Sequence, residues 1–274
     1  MLRHPAVAGQ FYKGSSDALK KQVREFIVPH VVKTKALGIL SPHAGLIYSG
    51  SVAGAVYSSI DLPNTFVLIG PNHTGLGAPV SLMAKGSWET PLGQVTIDEE
   101  LAAAILSRSP RIKEDSLAHL REHSLEVQLP FIQYFKADFK IVPIQMLDVR
   151  LETCRDVGRA IADAVKERGP GSGGQGPGVL IVASSDMTHY ESARSAKEKD
   201  EQAIGRILEL DPEGLYQTVR DRGITMCGFG PAVAMLAACK LLGATRAELI
   251  KYTNSGEVSG DFGQVVGYAG IAIM

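Results

Sequence analysis

Residues 65–75 read TFVLIGPNHTG: five apolar or β-branched residues, then a glycine-proline turn that delivers a histidine. A run of that length, rich in Val and Ile and bounded by turn residues, reads as a buried strand. The same design recurs at 36–45, ALGILSPHAG, and at 179–190, VLIVASSDMTHY. In each case a buried strand runs into a short loop that carries chemistry. Pro42 and Pro71 stiffen two of these exits, and nearby glycines permit tight turns. Ligands of open α/β sheets bind beyond the carboxyl ends of the strands. Three strand ends thus present His43, His73 and the pair Asp186 and His189 to one edge.

Further strands are expected at 79–83, 140–145 and 265–273. Helical periodicity marks 16–27, 50–59, 98–108, 122–135, 151–167, 196–210 and 231–242. The alternation predicts a single α/β domain over 1–274, with a central, mostly parallel or mixed sheet flanked by helices on both faces. Gly169–Gly178, GPGSGGQGPG, reads as a surface loop rather than a linker, because a strand follows at once and the composition does not shift. The apolar segment 267–274 is expected to end inside the sheet.

The 274 residues are 45% hydrophobic and 21% charged, as in an ordinary globular protein. The formal net charge of −1 offers no electrostatic footprint for nucleic acid or an acidic membrane. No apolar run approaches the ~20 residues of a membrane span, and the first residues lack a signal core. Neither a Walker-type loop nor a dinucleotide fingerprint is present. Three cysteines are too few, and odd in number, for a disulfide framework. A reducing, cytoplasmic setting is expected, with free thiols available as ligands.

A lone loop histidine is usually a polar surface residue, whereas several at one sheet edge suit a metal ligand or a general base. Cys227, in TMCGFGP, precedes a helix whose amides would favour its thiolate; its bland reading is a small residue in a glycine-rich turn. Cys239 reads as core packing and Cys154 has no evident partner. His4 and His30 read as surface residues. His119 and His123 would share a face if one helix covered both. Their string, HLREH, also matches the H-x-x-E-H pattern of a zinc peptidase class, with Glu122 as its acid or base; otherwise Glu122 or Ser124 caps the helix.

Taken together, RHPAVAGQFY, SPHAGLIYSG, GPNHTG, WETPLG, EHSLEVQLPF, SSDMTHY and TNSGEVSGDFGQVVGYAGIAI resemble the Memo family, in order and over nearly the whole chain. Lys13 stands where that family usually has proline. The resemblance implies a fold like that of the class III extradiol ring-cleaving dioxygenases, which hold non-haem iron through two His and one Glu. It implies metal ligands His43, His73 and Cys227, with Asp186, His189 and His123 lining the same pocket. Thiolate in place of carboxylate shifts preference toward iron, copper or zinc in a soft environment. The leading expectation is an iron- or copper-dependent, dioxygenase-like oxidoreductase acting on a small molecule. His189 would be its acid or base, Asp186 would orient His189 or take a proton, and His123 would hydrogen-bond substrate. The alternatives are an adaptor that binds a peptide or small ligand in the same pocket, and a zinc-dependent hydrolase. A symmetric homodimer is the default assembly. The resemblance also implies a radical-chemistry partner protein in some microbes.

Overall fold

The computed structural model describes residues 1–169 and 178–274. The expected Gly/Pro-rich loop therefore lies almost wholly outside the described residues.

The described strands are β1 (Leu2–Arg3), β2 (Gly38–Ser41), β3 (Thr65–Pro71), β4 (Val80–Leu82), β5 (Ser87–Thr90), β6 (Gly93–Ile97), β7 (Lys113–Glu114), β8 (Lys140–Met146), β9 (Val179–Ser184), β10 (His189–Glu191), β11 (Ala247–Asn254) and β12 (Val265–Ile273). The helices are α1 (Ser16–Phe26), α2 (Leu46–Ser59), α3 (Glu99–Leu106), α4 (Leu129–Phe135), α5 (Leu151–Arg168), α6 (Ala193–Leu208), α7 (Pro212–Asp221), α8 (Phe229–Leu241) and α9 (Gly256–Ser259).

Four strands, in the order β8, β3, β9, β2, form a parallel centre. β12 closes antiparallel on β2, and β11 on β12. Beyond β8, β6 pairs parallel with its start and β4 antiparallel with its end. The result is the expected α/β domain with a large, mostly parallel mixed sheet. β3 and β9 are buried along their whole length, which is why their sequences are continuous apolar runs rather than alternating ones.

Helices cover both faces, and the register shows it. Gly38 pairs with Ile273 and faces Cys239 and Met235 of α8, whereas Gly270, three residues back along β12, faces Val52 and Val56 of α2. An odd step along a strand reverses the side-chain direction. Helix α8 is apolar nearly all round because the sheet lies on one side and α5 and α7 on the other. Cys239 is core packing there, as expected.

One predicted helix does not form as drawn. Residues 122–125 are irregular, Glu126–Gln128 make a single 3-10 turn, and only Leu129–Phe135 is α-helical. Side chains compete with the helical hydrogen bonds here. Glu122 accepts the amides of His123 and Ser124, both at 2.9 Å. Glu126 accepts the amides of Ala6 and Val7 at 2.8 and 3.1 Å, together with the Tyr12 hydroxyl. His119 and His123 consequently share no helix face: Leu117–His119 is a separate 3-10 turn. The sequence reading also missed α7, α9 and the strands β1, β5, β6, β7, β10 and β11.

Glu126 forms a fully buried ion pair with Arg3. Arg3 also donates to the carbonyls of His119 and Glu122, at 3.0 and 2.6 Å, and lies over the Trp88 ring. His119 meets Trp88 edge-on, 5.7 Å between ring centroids. These contacts bolt the first twelve residues onto the 119–126 segment.

Truncating one member of a buried pair leaves an uncompensated charge. Glu126→Ala is expected to cost about 3–5 kcal/mol in urea denaturation, with early proteolysis of the N-terminal segment. His119 supplies a pH test. Burial, and next the Arg3 charge, lower its pKa to about 3. The unfolded chain therefore takes up the extra proton between pH ~6.5 and ~3. This contribution to stability is complete above pH ~6.5 and is lost as pH falls toward 3. His119→Phe is expected to lose less stability than the wild type from pH 7 to pH 4; parallel acid limbs would refute that origin.

Candidate metal centre

The carboxyl ends of the central strands build the site. β2 ends at Ser41, beside Ser184 at the end of β9. Two residues beyond each strand stand His43 and Asp186, and β3 delivers His73 in the same way. The irregular segment after His119 adds His123, drawn in by two hydrogen bonds. Ser124 Oγ donates to the Pro71 carbonyl at 3.0 Å, and Ser184 Oγ donates to the Ser124 carbonyl at 2.6 Å. Gly70 permits this approach, since a Cβ there would lie 2.7 Å from both Ser124 Oγ and Leu125.

The nitrogen donors of His43, His73 and His123 all lie within 4.8 Å of one another. The three residues are buried, exposed and half-buried, respectively. This group could hold a metal ion. Cys227 approaches His43 from the turn before α8, its Sγ 3.3 Å from His43 Nε2, but it is not one of the three donors that gather within 4.8 Å, where His123 stands in the place expected of the sulfur. Gly228 allows that turn to press against β9, because a Cβ would stand 2.3 Å from the Ser184 carbonyl.

The hydrogen bonds fix which nitrogen of each ring is free. Ser184 has one hydroxyl proton, and the Ser124 carbonyl takes it. Its oxygen accepts from Gln128 Nε2 at 2.8 Å and meets His43 Nδ1 at 2.9 Å. His43 Nδ1 therefore carries the proton and donates. Its Nε2 lone pair is left facing Cys227. His73 Nδ1 lies 3.0 Å from Glu122 Oε1, and its backbone amide donates to Oε2 at 2.5 Å. Glu122 is fully buried, yet burial is outweighed by His73 and by the amides it accepts, so its pKa falls to about 2. An ionised acceptor again leaves Nδ1 as the donor and Nε2 as the free lone pair. A carboxylate or hydroxyl behind a ligating imidazole is the usual support of a metal site.

The charges agree. Burial, and then His123 and His73, hold His43 well below the usual histidine range, so it is neutral at pH 7. Burial also lowers His123, with Glu122 opposing it. For His73 burial again acts downward, but the hydrogen bond and charge of Glu122 win and its pKa rises. Cys227 reverses the expectation. Burial, and next Asp186, push its thiol up despite amides from Asp186 and Gly228. The thiolate needs a cation beside it.

The other expected residues are present in altered roles. Asp186 Oδ1 accepts the amides of His43 and Ala44 at 2.8 and 3.3 Å, so it shapes the His43 loop. Burial raises its pKa. It does not orient His189: Thr225 does. His189 Nδ1 faces the Thr225 carbonyl at 2.8 Å, and its amide donates to the Thr225 hydroxyl at 2.7 Å. Nδ1 is thus the donor, and Nε2 is the nitrogen not engaged by Thr225. The ring of Phe11 packs on His123 at 4.7 Å, tying the N-terminal segment to the centre. Ser184, Gln128, Thr225 and Phe11 were not singled out from the sequence; only the position of Ser184 at a strand end hinted at a role. Cys154 and Cys239 are buried free thiols of the core, and Cys154 Sγ donates to the Val149 carbonyl at 3.5 Å.

Ser184→Ala removes the acceptor of His43 Nδ1. Nitrogen-15 spectra of the histidines are expected to show His43 as the Nδ1–H tautomer in the wild type. The variant is expected to show a growing Nε2–H fraction; an unchanged tautomer would refute the assignment.

Comparison with known proteins agrees with this architecture. The model of the Memo-like protein family matches residues 3–272. A MEMO1 family protein of Methanosarcina acetivorans is 47% identical, covering 99% of both chains. One from Aquifex aeolicus is 45% identical over 100% of this chain and 99% of its own. One from Pyrobaculum aerophilum is 44% identical over 98% of each. The crystal structure of an uncharacterized protein, JW3007, from Escherichia coli K12 superposes with a TM-score of 0.57, covering 87% of this chain and 100% of that one. At 13% identity it shares the fold alone. Among the described residues no helix is long and apolar enough to cross a membrane. With a family model spanning nearly every residue and full-length relatives above 40% identity, the chain belongs to the Memo-like protein family.

Proposed function

We propose that the chain is a metal-dependent oxidoreductase acting on a small molecule. His43 and His73 would hold the metal, with His123 and Cys227 as the remaining donors. The observation that carries this reading is the pair of imidazoles whose Nδ1 positions are tied to Ser184 and Glu122. A donor atom of each lies within 4.8 Å of the other and of a His123 nitrogen, and the Cys227 sulfur stands 3.3 Å from His43 Nε2.

The donor set fits a borderline-soft ion such as iron, copper or zinc. Two donors sharing one tetrahedral zinc, through sulfur and nitrogen, stand about 3.5 Å apart. The Cys227–His43 separation of 3.3 Å agrees with this. A bound ion would supply Lewis acidity and, if iron or copper, an electron acceptor.

The residues of the chain do the rest. His189 offers Nε2 as acid or base while Thr225 holds its ring. Asp186, whose pKa burial raises, stands beside the centre with its Oδ2 4.0 Å from His43 Nε2 and could take up a proton there. Glu122 is poorly suited to the base role of a hydrolase. It accepts four donors and stays ionised. That favours redox over zinc-hydrolase chemistry at this site.

Metal analysis of anaerobically purified protein tests the reading. Iron or copper is expected at about one ion per chain, lost in His43→Ala and in His73→Ala. Removing the support behind His73 by Glu122→Gln is expected to weaken metal affinity by about 10–100-fold. Full retention in Cys227→Ser would remove the sulfur from the ligand set. Zinc alone, with no redox turnover of catechol-type substrates by iron- or copper-loaded protein, would overturn the oxidoreductase reading and leave a ligand-binding adaptor.

A further inference from the structure

A second concavity lies at the opposite end of the sheet. It holds about 740 Å³ between α1, the end of α4 with the segment leading into β8, and the outer face of β6. β6 meets β8 at Lys140, whereas the Pro71 turn that delivers His73 pairs with Met146. Six residues of strand separate those levels, or roughly 20 Å. The two sites are distinct.

Lys20, Lys21 and Arg24 of α1 and Lys136 beyond α4 line this cavity. No side chain of these four makes an ion pair, hydrogen bond or ring contact among the described residues. That sets them apart from arginines elsewhere on the surface. Arg150, Arg155, Arg159 and Arg194 each hold a carboxylate. Two carboxylates, Asp17 and Asp138, also face the cavity, leaving an excess of positive charge. The wall includes the partly exposed ring of Tyr134 and the buried ring of Phe139. Gln94 and Thr96 project from the uncovered face of β6 as hydrogen-bonding groups.

We propose that this cavity binds a small phosphorylated molecule. Like charges gathered in a concave wall repel one another, and a multiply charged oxyanion relieves that repulsion while accepting their N–H groups. The volume lies within the range of small-ligand sites. Lysine and arginine suit phosphate rather than a neutral ligand. The aromatic wall and the two carboxylates accommodate a planar or hydroxyl-bearing body attached to the phosphate. Neither P-loop nor dinucleotide fingerprint is involved, so recognition rests on side chains rather than on backbone amides.

Inorganic pyrophosphate is the probe, titrated calorimetrically into the full chain at low and moderate salt. Saturable binding to one site is expected, weakening with salt. The double variant Lys20→Gln/Arg24→Gln is expected to bind about tenfold or more weakly. Lys251→Gln, an exposed lysine on β11, is expected to leave binding unchanged. Binding must also survive in His43→Ala, which separates this cavity from the histidine centre. Absence of saturable binding at about millimolar pyrophosphate, equal weakening by Lys251→Gln, or loss in His43→Ala would each overturn the proposal.

Discussion

Two buried carboxylates four residues apart organise the functional end of this molecule. Glu126 is met by Arg3, by two backbone amides and by Tyr12, all from the N-terminal segment. Glu122 is met by His73 through backbone and ring, and by the two amides that follow it. A charge this deep is tolerated only when its acceptor positions are filled. The irregular 120–125 segment, the 3-10 turn after it and the placement of His123 all follow from filling them. A regular helix here would have hidden those backbone amides from the carboxylates and aimed His123 elsewhere.

The same economy of partners explains the centre itself. Each potential ligand is held by something that does no chemistry: Ser184 and Gln128 behind His43, Glu122 behind His73, Phe11 against His123, Asp186 beneath the His43 loop. Burial disposes His43 and His123 toward the neutral ring, Glu122 anchors His73, and a donor atom of each of the three lies within 4.8 Å of the others. Cys227 is the exception, since burial and Asp186 oppose its ionisation. A cation in the cluster would reverse that balance by paying back the thiolate's lost hydration with direct coordination. Sulfur ligation and metal binding are therefore coupled, whereas the imidazoles are prepared in advance.

The family and the architecture were legible from residue pattern alone. TFVLI and VLIVA could only be strands buried on both faces, and their turn residues placed His43, His73 and Asp186 at one edge. Local pattern misled where a side chain outcompeted the backbone. The apolar spacing of 122–135 is helical, but Glu122, Ser124 and Glu126 take the hydrogen bonds that the first turns would need. The H-x-x-E-H string fails for that reason: its first histidine packs on Trp88 and its second on Phe11.

By itself, then, the sequence determined the sheet, the strand ends and the residue types that could coordinate an ion, because burial period and turn chemistry are local properties. Only the tertiary structure decided that His123 joins His43 and His73, that Thr225 rather than Asp186 orients His189, and that Ser184 and Glu122 choose the tautomers. It also decided that four cations with no ion pair among the described residues line one cavity at the far end of β8. Those outcomes depend on distances between residues 36 to 143 positions apart, and no local periodicity encodes such a distance.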